Sequence, residues 1–380
     1  MKIAILIDWW NPPIFWWWQV HVEELCKWLT KNHDCKVDLF VRKLKWDDWE
    51  IYNKDTKEGN WNIYRIWPTT KFFNVFWRVL CLINTTFYLL YKTIKEKYDI
   101  IHAHAYVSWL PAKIVWFLTK TPVVYTVHWT MWLDANKKWL LARIERWLIC
   151  GIKYDLEISV SNKIFNYKNA NKNIEVIYNW VDTEKYNNVK QPEKYKWMNF
   201  VWVGRFDWQK WLIYLVEWLK LIDINLLKDK WFHVNLVWDW ELFNEIKWKV
   251  KEYWLNDFIT FKWKLFWNDL IKEYKSNQIF ILPSLAEWQP LTLLEAMACG
   301  LPTLVTDVWD NKYFVENWKN WFIFNSWDEK IIADNIIKIL NADDSEIKKM
   351  WDYNHEFSKE YDWRNVVNNV FNEYKNLIKY

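Results

Sequence analysis

The chain has 380 residues, enough for two or three domains with buried cores, and its 51 Lys+Arg against 47 Asp+Glu leave a net charge of +4. That balance argues against a nucleic-acid binder built on a basic face and leaves room for an anionic small ligand. The five cysteines (Cys26, Cys35, Cys81, Cys150, Cys299) are scattered with no C-x-x-C pair, which argues against a disulfide framework or a zinc site and fits a reducing cytoplasm.

In chain order, the run Lys2–Ile7 is too short for a signal-peptide core and predicts a buried first strand. Further apolar, β-branched runs predict strands at 36–41, 62–66, 100–103, 122–127, 156–160 and 174–178, with helices at 19–32, 73–97, 108–119 and 136–149 between them. The most hydrophobic window, Phe72–Tyr91, is long enough to span a bilayer but contains Asn74, Arg78, Asn84, Thr85 and Thr86. It reads as an amphipathic helix, packed or facing a membrane surface, and Lys92, Lys95 and Lys97 come directly after it.

A polar stretch, Asn187–Lys196, interrupts the alternation and reads as a linker. Strands then resume near 199–203, 232–237, 258–261, 279–282, 303–305 and 322–324, with helices at 211–222, 241–253, 268–275, 291–298 and 328–340 and a last helix within 363–380. The pattern predicts an α/β fold of two doubly wound parallel-sheet domains, at 1–186 and 197–360, followed by a terminal segment at 361–380. In such sheets ligands sit at the carboxyl ends of the strands.

The composition carries an anomaly: 37 tryptophans and four glycines, where average usage of about 7% would give about 27 glycines. Asp8-Trp9, Asn60-Trp61, Asn179-Trp180, Asp207-Trp208, Asp239-Trp240, Asn317-Trp318 and Asn320-Trp321 stand where Asx-Gly would mark a turn. This placement suggests a gene that reads UGA as glycine, translated here as tryptophan; deliberate substitution is the rival account. Trp132, Trp147 and Trp363 sit in helical or apolar surroundings and fit as tryptophan.

The stretch from Pro283 to Pro302 is the most specific. Glu287 and Glu295 lie eight residues apart across Pro290 and the predicted start of a helix. First-turn amides at Leu291 and Thr292 make that start a natural anion site. In isolation, Glu295 could equally complement a helix dipole and Glu287 be a solvated loop charge. Gly204, Arg205 and Lys210 come after a strand and precede a helix, which can aim two cations at the same place. His102 and His104, two apart at a strand end, read as satisfied strand-end histidines, and Asp8 as a turn former rather than a base. No metal-ligand cluster is evident in the linear sequence.

With glycine at 288, the segment resembles the Glu-(seven residues)-Glu signature of retaining glycosyltransferase family 4. Val203-Gly204-Arg205-Phe206 with Lys210 is similar to that family's G-R-x…K-G element. Val237-Trp238-Asp239-Trp240 resembles its G-x-G turn, Asn179-Trp180-Val181-Asp182 its N-G-V-D, and Val127-His128-Trp129 its H-G. Pro12-Pro13-Ile14-Phe15-Trp16-Trp17-Trp18-Gln19 resembles P-P-x-x-G-G-x-Q, so the likeness runs through the whole chain.

The resemblance implies a GT-B fold whose last helix crosses back to the first domain. It also implies transfer of a hexose from a UDP-, GDP- or ADP-sugar to a glycan or lipid-linked hydroxyl, with no cofactor and no metal. Arg205 and Lys210 would steady the leaving diphosphate, Glu287 and His128 would meet the sugar, and Glu295 the ribose. Gly204, Pro290, Leu291, Thr292 and the backbone of Trp16, Trp17 and Trp18 would cradle the nucleotide. The expected setting is cytoplasmic or peripheral at the inner membrane surface. Two other readings stay open: a sugar-nucleotide epimerase of the same fold, and a non-catalytic sugar-nucleotide binder.

Overall fold

The computed structural model describes residues 1–8, 17–44, 55–70, 75–128, 140–167, 171–193, 198–204, 210, 212–237, 243–263, 265, 267–287, 289–308, 310–315, 321–324 and 329–379. It divides into two compact units, Met1–Asn179 with Arg364–Tyr380, and Trp180–Trp363.

The first unit is an eight-stranded sheet made of β1 (Lys2–Ile7), β2 (Lys36–Leu44), β3 (Thr56–Glu58), β4 (Trp61–Thr70), β5 (Ile100–His104), β6 (Val123–Val127), β7 (Leu156–Ser159) and β8 (Ile174–Val176). Their order is β3-β4-β2-β1-β5-β6-β7-β8, parallel throughout except for the β3–β4 hairpin. Strands buried on both faces favour apolar runs: β1 is apolar from Ile3 to Ile7, while β5 (IIHAH) and β6 (VVYTV) bury polar residues among apolar ones. Helices α1 (Trp17–Asn32), α2 (Val75–Glu96) and α3 (Ala105–Thr119) cover the sheet. The last helix, Trp363–Ile378, joins this unit by burying Val366, Val367, Val370 and Tyr374. Trp28 Nε1 donates to Asn368 Oδ1 at 3.0 Å, and His33 stacks on Phe371.

Glu157, on β7 next to the edge strand β8, is fully buried. Burial pushes its carboxyl up to about 8, against the opposing pull of the Asn171 amide that bonds it. The folded state therefore holds a proton that the unfolded chain releases near 4.5. Stability from this group is complete below pH 4.5 and is lost as pH rises toward 8. The urea midpoint of the wild type is expected to fall between pH 5 and 8 relative to Glu157→Gln; a pH-independent difference between the two would refute the assignment.

The second unit is a six-stranded parallel sheet of β9 (Met198–Val203), β10 (Phe232–Val237), β11 (Ile259–Lys262), β12 (Ile279–Leu282), β13 (Thr303–Thr306) and β14 (Trp321–Phe324), in the order β11-β10-β9-β12-β13-β14. The order reverses between β9 and β12, which is where such sheets open a crevice for ligands. Its core includes Phe200, Trp202, Leu215, Trp218, Leu236 and Ile281.

The first unit ends earlier than the polar stretch 187–196 suggests. Asp182 caps a short helix, Thr183–Asn188, by accepting from the Lys185 amide, and Thr183 donates its amide and hydroxyl to Asp362. Both ties hold residues 180–188 to the second unit. The short strand β3, the helix Ile224–Asp229 and the helix Asp344–Ser358 are further elements that the periodicity did not predict.

Two of the turn pairs also behave differently from expectation. Neither Trp61 nor Trp180 has a positive φ: Trp61 opens β4 and is buried, while Gly59 takes φ 59° in the hairpin turn, and Trp180 is buried beside Val181. Among the described tryptophans the positive φ values fall instead on Trp231 (53°) and Trp254 (60°), alongside Asp34, Lys97 and Lys120 elsewhere in the chain. Both are the second residue past a helix. Trp254 N–H donates to the Lys251 carbonyl and Leu255 N–H to that of Val250, the two bonds of a Schellman cap, and Trp231 N–H donates to Lys228. Glycine is the usual occupant of that position, because a side chain there costs about 1–2 kcal/mol. Trp231→Gly and Trp254→Gly are each expected to raise stability by about 1 kcal/mol in urea titrations; a loss in both would contradict the strain.

Candidate functional site

The carboxyl ends of β9 and β12 are neighbours, so the loops that leave the two strands meet at the reversal of the second sheet. After β9 come Gly204 and, further on, Lys210; after β12 come Ser284 and Glu287. Lys210 Nζ lies 2.5 Å from Glu287 Oε1, and Ser284 Oγ donates to the same oxygen at 2.5 Å. Glu287 is buried and Lys210 half-buried, so the pair sits where water screens it weakly. Thr306 Oγ1 donates to the Ser284 carbonyl at 2.6 Å and Asn311 Nδ2 to that of Thr306 at 3.0 Å, which fixes the loop that carries Glu287.

Pro290 precedes the helix Leu291–Ala298 in an extended conformation and makes no side-chain cap. The first-turn amides at Leu291 and Thr292 therefore open the helix without a capping side chain. Glu295, one turn on, accepts from Tyr274 OH at 3.0 Å and from Tyr186. Burial raises its carboxyl, while both phenols and Lys185 pull it down. A carboxylate has about four lone-pair sites, so two phenols leave it able to accept from ligand hydroxyls as well. Tyr186, on the segment that sequence reasoning read as the end of the first domain, is a partner of this carboxylate that periodicity could not reveal.

Arg205, Trp16, Trp288 and Trp129 lie outside the described residues. Asp8, read from sequence as a turn former, is ion-paired with buried Arg42, Nε to Oδ1 3.3 Å.

His128 comes directly after β6 in the first unit and does not stand alone. Its Nε2 lies 3.0 Å from His104 Nδ1 at the end of β5, and the His21 ring, from the first turns of α1, meets it edge-on at 4.7 Å. His102 is satisfied, with Tyr374 OH on Nδ1 and Thr126 Oγ1 on Nε2 at 2.7 Å. Burial lowers His102 and His128 to about 3 and holds His21 and His104 well below the ordinary imidazole range. His21, His104 and His128 thus lie together, with ring nitrogens within 4.8 Å of one another, a cluster that the linear sequence hides because it comes from three elements spread over more than 100 residues.

Two Rossmann-like parallel-sheet units, one with paired acidic and basic groups at its strand reversal, define the GT-B class of nucleotide-sugar enzymes. The chain belongs to the glycosyltransferases: residues 19–185 match Glycosyltransferase Family 4, and residues 183–356 match Glycosyl transferases group 1. It is 31% identical to the UDP-Gal:alpha-D-GlcNAc-diphosphoundecaprenol alpha-1,3-galactosyltransferase of Escherichia coli, over 66% of this chain and 69% of that one. An uncharacterised glycosyltransferase of Methanocaldococcus jannaschii is 21% identical over 99% of this chain and 98% of its own length.

Among solved structures, sucrose-phosphate synthase from Thermosynechococcus elongatus superposes with a TM-score of 0.78 at 19% identity, covering 100% of this chain and 99% of that one. The lipopolysaccharide outer core galactosyltransferase WaaB superposes at 0.73 with 17% identity over 98% and 100% of the two chains. Anabaena HepE, solved with UDP and glucose, gives 0.73 at 14% identity over 99% and 100%. These three establish the fold. Among the described residues no helix is long and apolar enough to cross a membrane.

Proposed function

We propose that the chain is a retaining hexosyltransferase that moves a sugar from a nucleoside diphosphate to a hydroxyl of a lipid-linked glycan. The observation that carries this reading is the Lys210–Glu287–Ser284 cluster at the strand reversal, just ahead of the uncapped amides of Leu291 and Thr292. Lys210, with Arg205, would meet the charge that develops on the departing diphosphate. Glu287 would orient the sugar, His128 would contact it, and Glu295 would accept from the ribose hydroxyls. The sugar would leave as an oxocarbenium-like species that the acceptor attacks from the same face.

A UDP-sugar donor and a lipid-linked acceptor are favoured by the Escherichia coli relative, whose name gives UDP-Gal and a diphosphoundecaprenol. The exposed face of α2 supports the second point. Val79, Ile83, Phe87, Tyr91 and Ile94 form one stripe along it, each 46% or more exposed, with Lys95 at its end. Such a stripe beside basic residues suits the surface of an anionic membrane. An open groove of about 530 Å³ lies alongside, lined by Tyr64, Arg65, Trp67, Asn84, Tyr88 and Tyr91.

We also propose that the natural polypeptide carries glycine at most of the tryptophan positions. Trp231 and Trp254 at left-handed helix caps support this, as do Trp67, Trp248 and Trp263, each more than 60% exposed. Peptide masses of the protein taken from its own cells would test it, and tryptophan at these positions would end the idea.

Function is tested by offering UDP-, GDP- and ADP-hexoses with a diphosphate-lipid acceptor to the chain with its native residues, and reading the anomer of the product by NMR. A UDP-hexose transferred with its configuration kept is the expected result. Inversion, or release of free sugar with no need for acceptor, would overturn the reading.

A further inference from the structure

We propose that His21, His104 and His128 form a binding site for a borderline transition-metal ion of the zinc type. One ring nitrogen from each lies within 4.8 Å of the others, and all three side chains are buried. Three histidines on one tetrahedral zinc, bonded at 2.0–2.1 Å, stand about 3.3 Å apart. The His104–His128 pair is already at 3.0 Å, so shifts of about 1 Å in the rings complete the geometry.

The donor set decides the class of ion. Three imidazoles without a carboxylate suit Zn²⁺, Cu²⁺, Ni²⁺ or Co²⁺ and offer nothing to Mg²⁺ or Ca²⁺, which take oxygen ligands. Imidazole binds metal as the neutral ring. Position favours a ligand too. β1 lies between β2 and β5, and the sheet's order reverses between β1 and β5, so the end of β5 that carries His104 is its ligand-binding edge.

Occupancy has a functional consequence, which rests on the glycosyltransfer reading. A metal on His128 withdraws that imidazole from the donor sugar, so zinc inhibits transfer.

The test is zinc titration of the full chain against a competing chelator, with Co²⁺ absorption to report the coordination. One ion per chain, tetrahedral cobalt bands and a loss of affinity of about 100-fold or more in His21→Gln and His104→Gln are expected. His233→Gln, in the other unit, keeps the affinity. Ring ¹⁵N shifts of the wild type on adding zinc need no variant, and they must move for His21, His104 and His128 together. Unmoved rings, or zinc held equally by the folded double variant, would overturn the site. Inhibition by zinc that persists in folded His21→Gln would overturn its functional consequence. The binding measurements stand whether or not any donor is turned over, so the two readings fail separately.

Discussion

Lys210→Ala is expected to lower kcat by about 10²–10³-fold while leaving the donor KM within a few-fold of wild type. A cation 4 Å from a developing charge contributes about 4 kcal/mol at an effective dielectric of 20, and 1.36 kcal/mol is tenfold in rate. Lys210 stands beside Glu287, half-buried at the carboxyl edge of the second sheet, where its charge is poorly screened. The ground-state diphosphate already carries charge, so part of the loss falls on KM; the excess in kcat is what marks a contact that strengthens as the bond breaks. Lys210→Arg, which keeps the charge, should recover part of the rate. Steady-state kinetics with circular dichroism on the same samples decides it, and turnover within a few-fold of wild type in a folded Lys210→Ala would remove the role.

Gly300→Ala should cost about 2–5 kcal/mol of stability, the sum of left-handed strain and overpacking. Gly300 has φ 76° and closes the helix Leu291–Ala298 with a Schellman cap, its N–H on Met297 and that of Leu301 on Ala296. A Cβ there would stand 2.4 Å from the Trp351 indole. The two contributions separate in a double-mutant cycle. In a Trp351→Ala background the penalty should shrink to the strain alone, about 1–2 kcal/mol. Equal penalties in both backgrounds, read from urea midpoints, would show that the indole is not the obstacle. The cap ends the helix that bears Glu295, so this backbone position governs how that carboxylate is presented.

The two sheets were legible because strands buried on both faces are written as unbroken apolar runs, and Lys2–Ile7 or Ile279–Leu282 cannot be read otherwise. The helix Asp344–Ser358 was missed although its signal was present: Asp343 and Glu346 form a capping box. Thr183–Asn188 is held by Asp362, a partner 179 residues away, and no local pattern announces it. In the site, the spacing of Glu287 and Glu295 was visible, but the tyrosines around Glu295 were not, because they arrive from separate helices. His128 was visible as a motif and invisible as a cluster. His102 and His104 read as satisfied strand-end histidines, which holds for His102, whereas the fold groups His104 with His21 and His128. Among the described tryptophans, left-handed backbone lies at helix ends, at Trp231 and Trp254, rather than at the Asn-Trp pairs of Trp61 and Trp180.

The last helix gives the first unit an unusual place in time. Val366, Val367, Val370 and Tyr374 complete a core whose other members lie before Asn179. Those four residues are made only after the intervening Trp180–Trp363 segment, so the first unit lacks a wall until they emerge. Domains usually fold as units from the amino end as they emerge. Here the first unit departs from that order, keeping part of its apolar surface uncovered until residues made after Trp180–Trp363 join it.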